Sequence, residues 1–215
     1  MSSLDAFLAP VITEVLLAAL AKLRMDGPPA SLQLGSPWLS DVPLFPGIFA
    51  GSFPYLLPGV DAQEVSSLLP FLQTWTKSGG SATILVQGYE PGNWPSKSSR
   101  KYNLAELALL EQCLAVDMEV LLARRFHDKF LAVPGVVLSG SANMTYSGLY
   151  QNRERLNLHN ADSTPADYAT ATTVCENHIA TARQAGTCRP PRNPTGRVDR
   201  DGLRDIRHVY RGSWQ

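Results

Sequence analysis

The chain has 215 residues, room for one domain of ordinary size, and its nineteen Lys and Arg balance nineteen Asp and Glu. A hydrophobic content of 44% against 18% charged supplies a sizeable core, which excludes wholesale disorder and any collagen-like, mucin-like or acidic-tail protein. A net charge of zero says nothing about partners.

In chain order, residues 4–24 read as an amphipathic helix, with Leu8, Val11, Ile12, Val15, Leu16, Ala19, Leu20 and Leu23 on its apolar face and Pro10 in its first turn or at a kink. Asp5, Glu14 and Lys22, and the lack of a basic region before the apolar run, argue for packing over a membrane span or signal peptide. Residues 1–30 are taken as this helical unit. A short strand is expected over 31–35. Five prolines and three glycines in residues 36–60 then predict a long irregular loop with apolar anchors, Trp38, Leu44, Phe45, Phe49, Phe53 and Tyr55. Residues 62–78 read as a helix interrupted or kinked at Pro70, 82–87 as a buried strand, 88–101 as a polar loop, 104–116 as a helix and 119–123 as a strand. Strands follow at 129–133, 136–139 and 154–158, the first two joined by Pro134-Gly135, and a last helix spans 167–184. Alternation of this kind predicts an α/β fold, a mixed central sheet with helices on both faces, over residues 31–186. The remainder, 187–215, holds seven Arg and three Asp and is expected to stay extended or fold on a partner.

Three cysteines, Cys113, Cys175 and Cys188, are an odd number without CxxC spacing. Neither a disulfide framework nor a zinc site is indicated, Cys113 and Cys175 read as core, and a reducing, cytoplasmic compartment is the expectation. Asn143-Met144-Thr145 fits a glycosylation sequon and is taken as a chance match.

Chemistry concentrates in residues 126–143. On a strand, side chains two apart face the same way, so His127 and Lys129 are expected to project together. A hairpin at Pro134-Gly135 would return Ser141 and Asn143 to the same edge. An ammonium, an amide and a hydroxyl would then cradle a tetrahedral oxyanion while the imidazole attacks or protonates, with no metal or other cofactor required. Glu154 is expected to accept the other imidazole N–H and fix its tautomer.

In this ordering, His127-x-Lys129 followed by Gly140-Ser141-x-Asn143 and then Glu154, the sequence resembles the phospholipase D superfamily. The resemblance is tightest over about residues 119–158 and extends loosely to Leu34-Gly35-Ser36-Pro37-Trp38-Leu39-Ser40-Asp41, similar to the family's first strand and the loop after it. The chain departs from the family where an acidic residue usually follows the lysine; Pro134 stands there. The resemblance implies phosphodiester cleavage through a phosphohistidine, which needs two histidines. With one such motif and no internal repeat, the chain is expected to form a homodimer whose two His127 share one composite site.

Nucleic acid, DNA favoured, is the expected partner. Arg125, Arg100 and Lys101 are candidate substrate contacts, and Arg124, Lys97, Tyr89, Trp94 and Tyr102 lie nearby in sequence. A nuclease is the first expectation, and a bacterial defence or DNA-modification system, or a larger protein complex, is a setting it would fit. A catalytically silent nucleic-acid-binding subunit and a phospholipase D-type lipid hydrolase are the alternatives, and no membrane partner is expected.

Overall fold

Pro70 decides how the middle of the chain is wound. The computed structural model describes residues 8–44, 57–87, 100–123 and 126–184, with backbone alone for residues 100–104 and 107. In place of one kinked helix over 62–78 there are two elements, a 3-10 turn Ala62–Val65 and a helix Leu68–Lys77 (α2). Pro70 is the third residue of α2, in the first turn, where a backbone N–H has no partner within the helix, so proline costs nothing there. The break falls instead at Ser67, whose extended backbone ends the Asp61/Glu64-capped turn before α2 starts. Asp41 accepts the Leu69 N–H at 2.9 Å and so satisfies one free donor of the new helix.

The first helix, Leu8–Asp26 (α1), buries Leu8, Ile12, Leu16, Leu20 and Leu23 as its periodicity requires, together with Leu17 and Thr13. Thr13 donates its hydroxyl to the Leu44 carbonyl, which tethers the following loop to α1.

Six strands form one mixed sheet: Ser31–Gly35 (β1), Ser81–Gln87 (β2), Glu119–Ala123 (β3), Lys129–Val133 (β4), Val136–Gly140 (β5) and Leu156–Asn160 (β6), in the order β3-β2-β1-β4-β5-β6. Between β2 and β3 runs the helix Arg100–Ala115 (α3). β1, β2 and β3 are parallel, as helical crossovers demand, whereas β4, β5 and β6 form an antiparallel meander. The β4–β5 turn places Pro134 at its second position and Gly135, at φ +84°, at its third, the residue pattern of a type II turn.

All five residues of β4 are buried because both faces of the sheet are covered. Leu131 and Val133 enter the larger core with α1, α2 and α3. Phe130 and Ala132 face Cys175, Ile179 and Ala182 of the helix Pro165–Gln184 (α5). The expected mixed α/β architecture with helices on both faces is therefore the observed one.

Two of the boundary shifts bear on the site. β6 lies at 156–160 rather than 154–158, so Glu154 precedes the strand; its carboxylate is bonded to Ser141, where the chain leaves the β5–β6 ladder. Arg100 and Lys101 fall in the first turn of α3 rather than at the end of a loop. Expectations for residues 4–7, Phe45, Phe49, Phe53, Tyr55, Tyr89, Trp94, Lys97, Arg124, Arg125, Cys188 and the segment 187–215 lie outside the described residues, as do the side chains of Arg100, Lys101 and Tyr102. Among the described residues no helix is long and apolar enough to cross a membrane.

Candidate active site

The ladder pairs Lys129 with Gly140 and Gly140 with Leu156. The residues just before β4, just after β5 and just before β6 therefore share one end of the sheet, and that end holds His127, Ser141 and Glu154. As expected, His127 and Lys129 meet, although His127 precedes β4: Lys129 Nζ lies 3.0 Å from His127 Nδ1 and donates to the His127 carbonyl at 2.6 Å. Asp128, between them, turns to the opposite face and accepts from His178 Nε2 of α5 at 2.7 Å. His178 stacks on Phe130, with ring centroids 6.2 Å apart. Asp128 and His178 thus fasten α5 to the sheet, a role sequence spacing does not reveal.

Lys129 is only 9% exposed. Burial lowers its pKa by penalising the charged form, and the carboxylates of Asp128 and Glu154 pull the other way. An ammonium held beside an imidazole in this largely buried position is suited to an entering anion.

Gly140 is required by proximity. A Cβ there would fall on the Arg155 carbonyl, which instead accepts the Ser141 N–H at 3.0 Å. The Ser141 hydroxyl donates to Glu154 Oε2 at 2.5 Å and accepts the Arg155 N–H at 3.0 Å, while Glu154 Oε1 accepts from Asn152 at 3.2 Å. Two expectations are corrected within the protomer. Ser141 serves as a clasp between β5 and β6 rather than as a free oxyanion donor, and Glu154 bonds Ser141 rather than the imidazole of His127. Asn143 follows in the turn leading to the short helix Tyr146–Tyr150 (α4), whose N-terminus Thr145 caps. Its Oδ1 is buried and has no hydrogen-bond partner among the described residues.

The loop after β1 is bonded to this turn. Ser36 Oγ accepts the Met144 N–H at 2.9 Å and donates to the Trp38 carbonyl at 2.5 Å. Ser40 N–H donates to the Met144 carbonyl at 3.0 Å, and the Leu39 N–H to the buried Glu106 at 2.8 Å. Trp38, expected as an apolar anchor, is instead 49% exposed, its indole 6.5 Å from the His127 ring and nearly perpendicular to it.

A cleft of 610 Å³ opens at this end of the sheet on the face covered by α5, lined among others by Asp128, Lys129, Phe130, Arg155, His159 and Cys175; His127 is not part of its lining. Ser139 Oγ and His159 Nε2 meet in it at 3.2 Å. Arg155 is exposed there, a cation that inspection of the sequence passed over because it sits beyond the motif. Moving β6 by one residue would turn it to the other face, so only the observed register reveals it. Cys113 and Cys175 are buried as expected, and burial pushes both thiols up to about 12, far from a reactive thiolate.

No family model matches the chain, and no curated protein matches it. Solved structures similar to it include NucT from Helicobacter pylori, at 12% identity and a TM-score of 0.38 over 80% of this chain and 91% of that one. Another is polyphosphate kinase from Porphyromonas gingivalis, at 12% identity and a TM-score of 0.46 over 86% of this chain. The match spans about a quarter of that kinase's length, 25%. The likeness to the phospholipase D superfamily stands on the motif residues and where the sheet puts them.

Proposed function

We propose that the chain is a metal-independent phosphodiesterase of the phospholipase D type, a nuclease acting on nucleic-acid diesters, whose site is completed by a second copy of the chain. The observation that carries this reading is the 3.0 Å approach of the buried Lys129 ammonium to the His127 ring, at the sheet end where the Gly140–Asn143 turn begins. The His127–Lys129 pair offers one imidazole beside one cation, and the proposed reaction needs two imidazoles, so a second copy of the chain completes the site.

In the dimer, Nε2 of one His127 attacks phosphorus; an N–P bond forms as the P–O bond to the leaving alcohol breaks. The partner subunit's His127, as imidazolium, gives its proton to the leaving oxygen. Water then attacks phosphorus, losing its proton to that now neutral ring, and the N–P bond breaks. Phosphate oxygens that draw the Lys129 ammonium toward themselves free Nδ1 of His127 to hold the ring proton, exchanged through water, and so leave Nε2 unprotonated for attack. Two coupled imidazoles of opposite protonation imply a bell-shaped pH–rate profile.

The test is cleavage of single- and double-stranded DNA and RNA in EDTA by the wild type, His127→Ala and Lys129→Ala. Activity that persists in EDTA and vanishes in His127→Ala supports the reading; full activity in His127→Ala overturns it.

A further inference from the structure

Trp38 is an exposed ring that the structure goes to some length to immobilise. Its neighbours Ser36, Pro37 and Leu39 are buried, and backbone hydrogen bonds fix the loop on both sides: Ser36 N–H to Leu85 O, Leu39 N–H to Glu106, Ser40 N–H to Met144 O. The Trp38 carbonyl is itself held by Ser36 Oγ. An indole that served only to fill the core would turn inward with Leu39; this one is 49% exposed and stands 6.5 Å from the reactive imidazole. The fastening also runs directly to the turn that carries Asn143, through Met144. Ring and reacting groups therefore keep a fixed spacing.

We infer that Trp38 is a stacking wall for the nucleobase next to the scissile phosphate, and so determines that the enzyme prefers base-bearing diesters. This rests on the nucleic-acid reading above and names the part of the substrate that the reading leaves open. With buried residues on each side in the chain, the exposed indole offers a flat aromatic face about the size of one base. Stacking on an aromatic side chain is tolerant of sequence and contributes ~1–3 kcal/mol per base, roughly 5- to 150-fold in affinity. Because the loop is already held in place, little ordering entropy opposes it.

The experiment uses the full-length protein as wild type, Trp38→Ala, Trp38→Phe and, as a control for loss of exposed apolar surface, Met25→Ala. Each is tested with a fluorescent single-stranded oligodeoxynucleotide and with the same backbone carrying abasic residues throughout. Anisotropy reads binding, and product formation in EDTA reads cleavage. The expected result is that Trp38→Ala weakens binding to the base-bearing strand about 5- to 150-fold, leaves the abasic strand unchanged, and is largely rescued by Trp38→Phe. Met25→Ala should behave as wild type. Equal losses on both strands would mean that Trp38 merely supports His127, and the inference is overturned; so is equal wild-type affinity for the two strands, or binding to neither. Base-dependent binding without cleavage would leave the stacking wall standing and remove the nuclease. Turnover of phosphatidylcholine vesicles that Trp38→Ala impairs, with no preference for bases, would assign the ring to lipid instead.

Discussion

Ser36 and Met144 stand 108 positions apart in the chain, yet the Ser36 hydroxyl accepts the Met144 N–H at 2.9 Å, joining the loop after β1 to the turn that carries Asn143. Ser36 is 1% exposed, and the same hydroxyl donates to the Trp38 carbonyl. Ser36→Ala leaves a buried N–H and a carbonyl without this partner, and an unsatisfied buried group costs about 1–3 kcal/mol. Urea denaturation should register a loss of that size, and cleavage should fall more than that of Met25→Ala at equal folded fraction.

Lys129→Met should separate stability from activity. Removing a cation that stabilises a developing anion costs on the order of 10²–10³ in turnover, whereas the side chain it replaces is buried and partly desolvated. Thermal unfolding at neutral pH should show a Tm no lower than wild type. The pH dependence has a fixed sign. Burial puts the folded-state pKa of Lys129 below its ordinary 10.5, so between the two values the unfolded chain binds more protons and stability rises with pH. Lys129→Met should lack that rise; an identical stability–pH curve would contradict the desolvation of Lys129.

Subunit mixing tests the composite site. If each site needs His127 from both chains, refolding wild type with excess His127→Ala yields inactive heterodimers. Activity should then fall with the square of the wild-type fraction. A linear fall, or a monomeric mass for the active species, contradicts the shared site.

Gly140→Ala puts a methyl group onto the Arg155 carbonyl at the β5–β6 ladder. Forced repacking of this kind costs about 1–3 kcal/mol, and because the backbone must move where Ser141 and Glu154 meet, cleavage should drop by more than the loss of folded protein explains. Circular dichroism melts with parallel rate measurements check both.

Arg155→Ala tests whether bound nucleic acid reaches the cleft on the α5 face. Losing one phosphate contact should weaken oligonucleotide binding and reduce the slope of log affinity against log salt by about 1. An unchanged slope would remove Arg155 from the substrate path.

Much of the fold was legible because its signals are local. The apolar period of α1, the breakers at Gly27-Pro28-Pro29, the Pro134-Gly135 turn and the buried run of β2 depend on residues close in sequence, and each element appears where its pattern points. One error came from a local signal with two solutions: Pro70 fits a kink or a first turn, and only the extended backbone at Ser67 decides between them.

By itself the sequence determined which candidate groups lie together: His127 and Lys129 are two residues apart, and their side chains meet at 3.0 Å through local chain geometry alone. Only the tertiary structure decided what each neighbour is for. Ser141 and Glu154 became a clasp, Asp128 a tie to His178, and Trp38 a ring exposed beside the imidazole. Those roles depend on hydrogen bonds and contacts between residues distant in sequence, and such partners are chosen by packing.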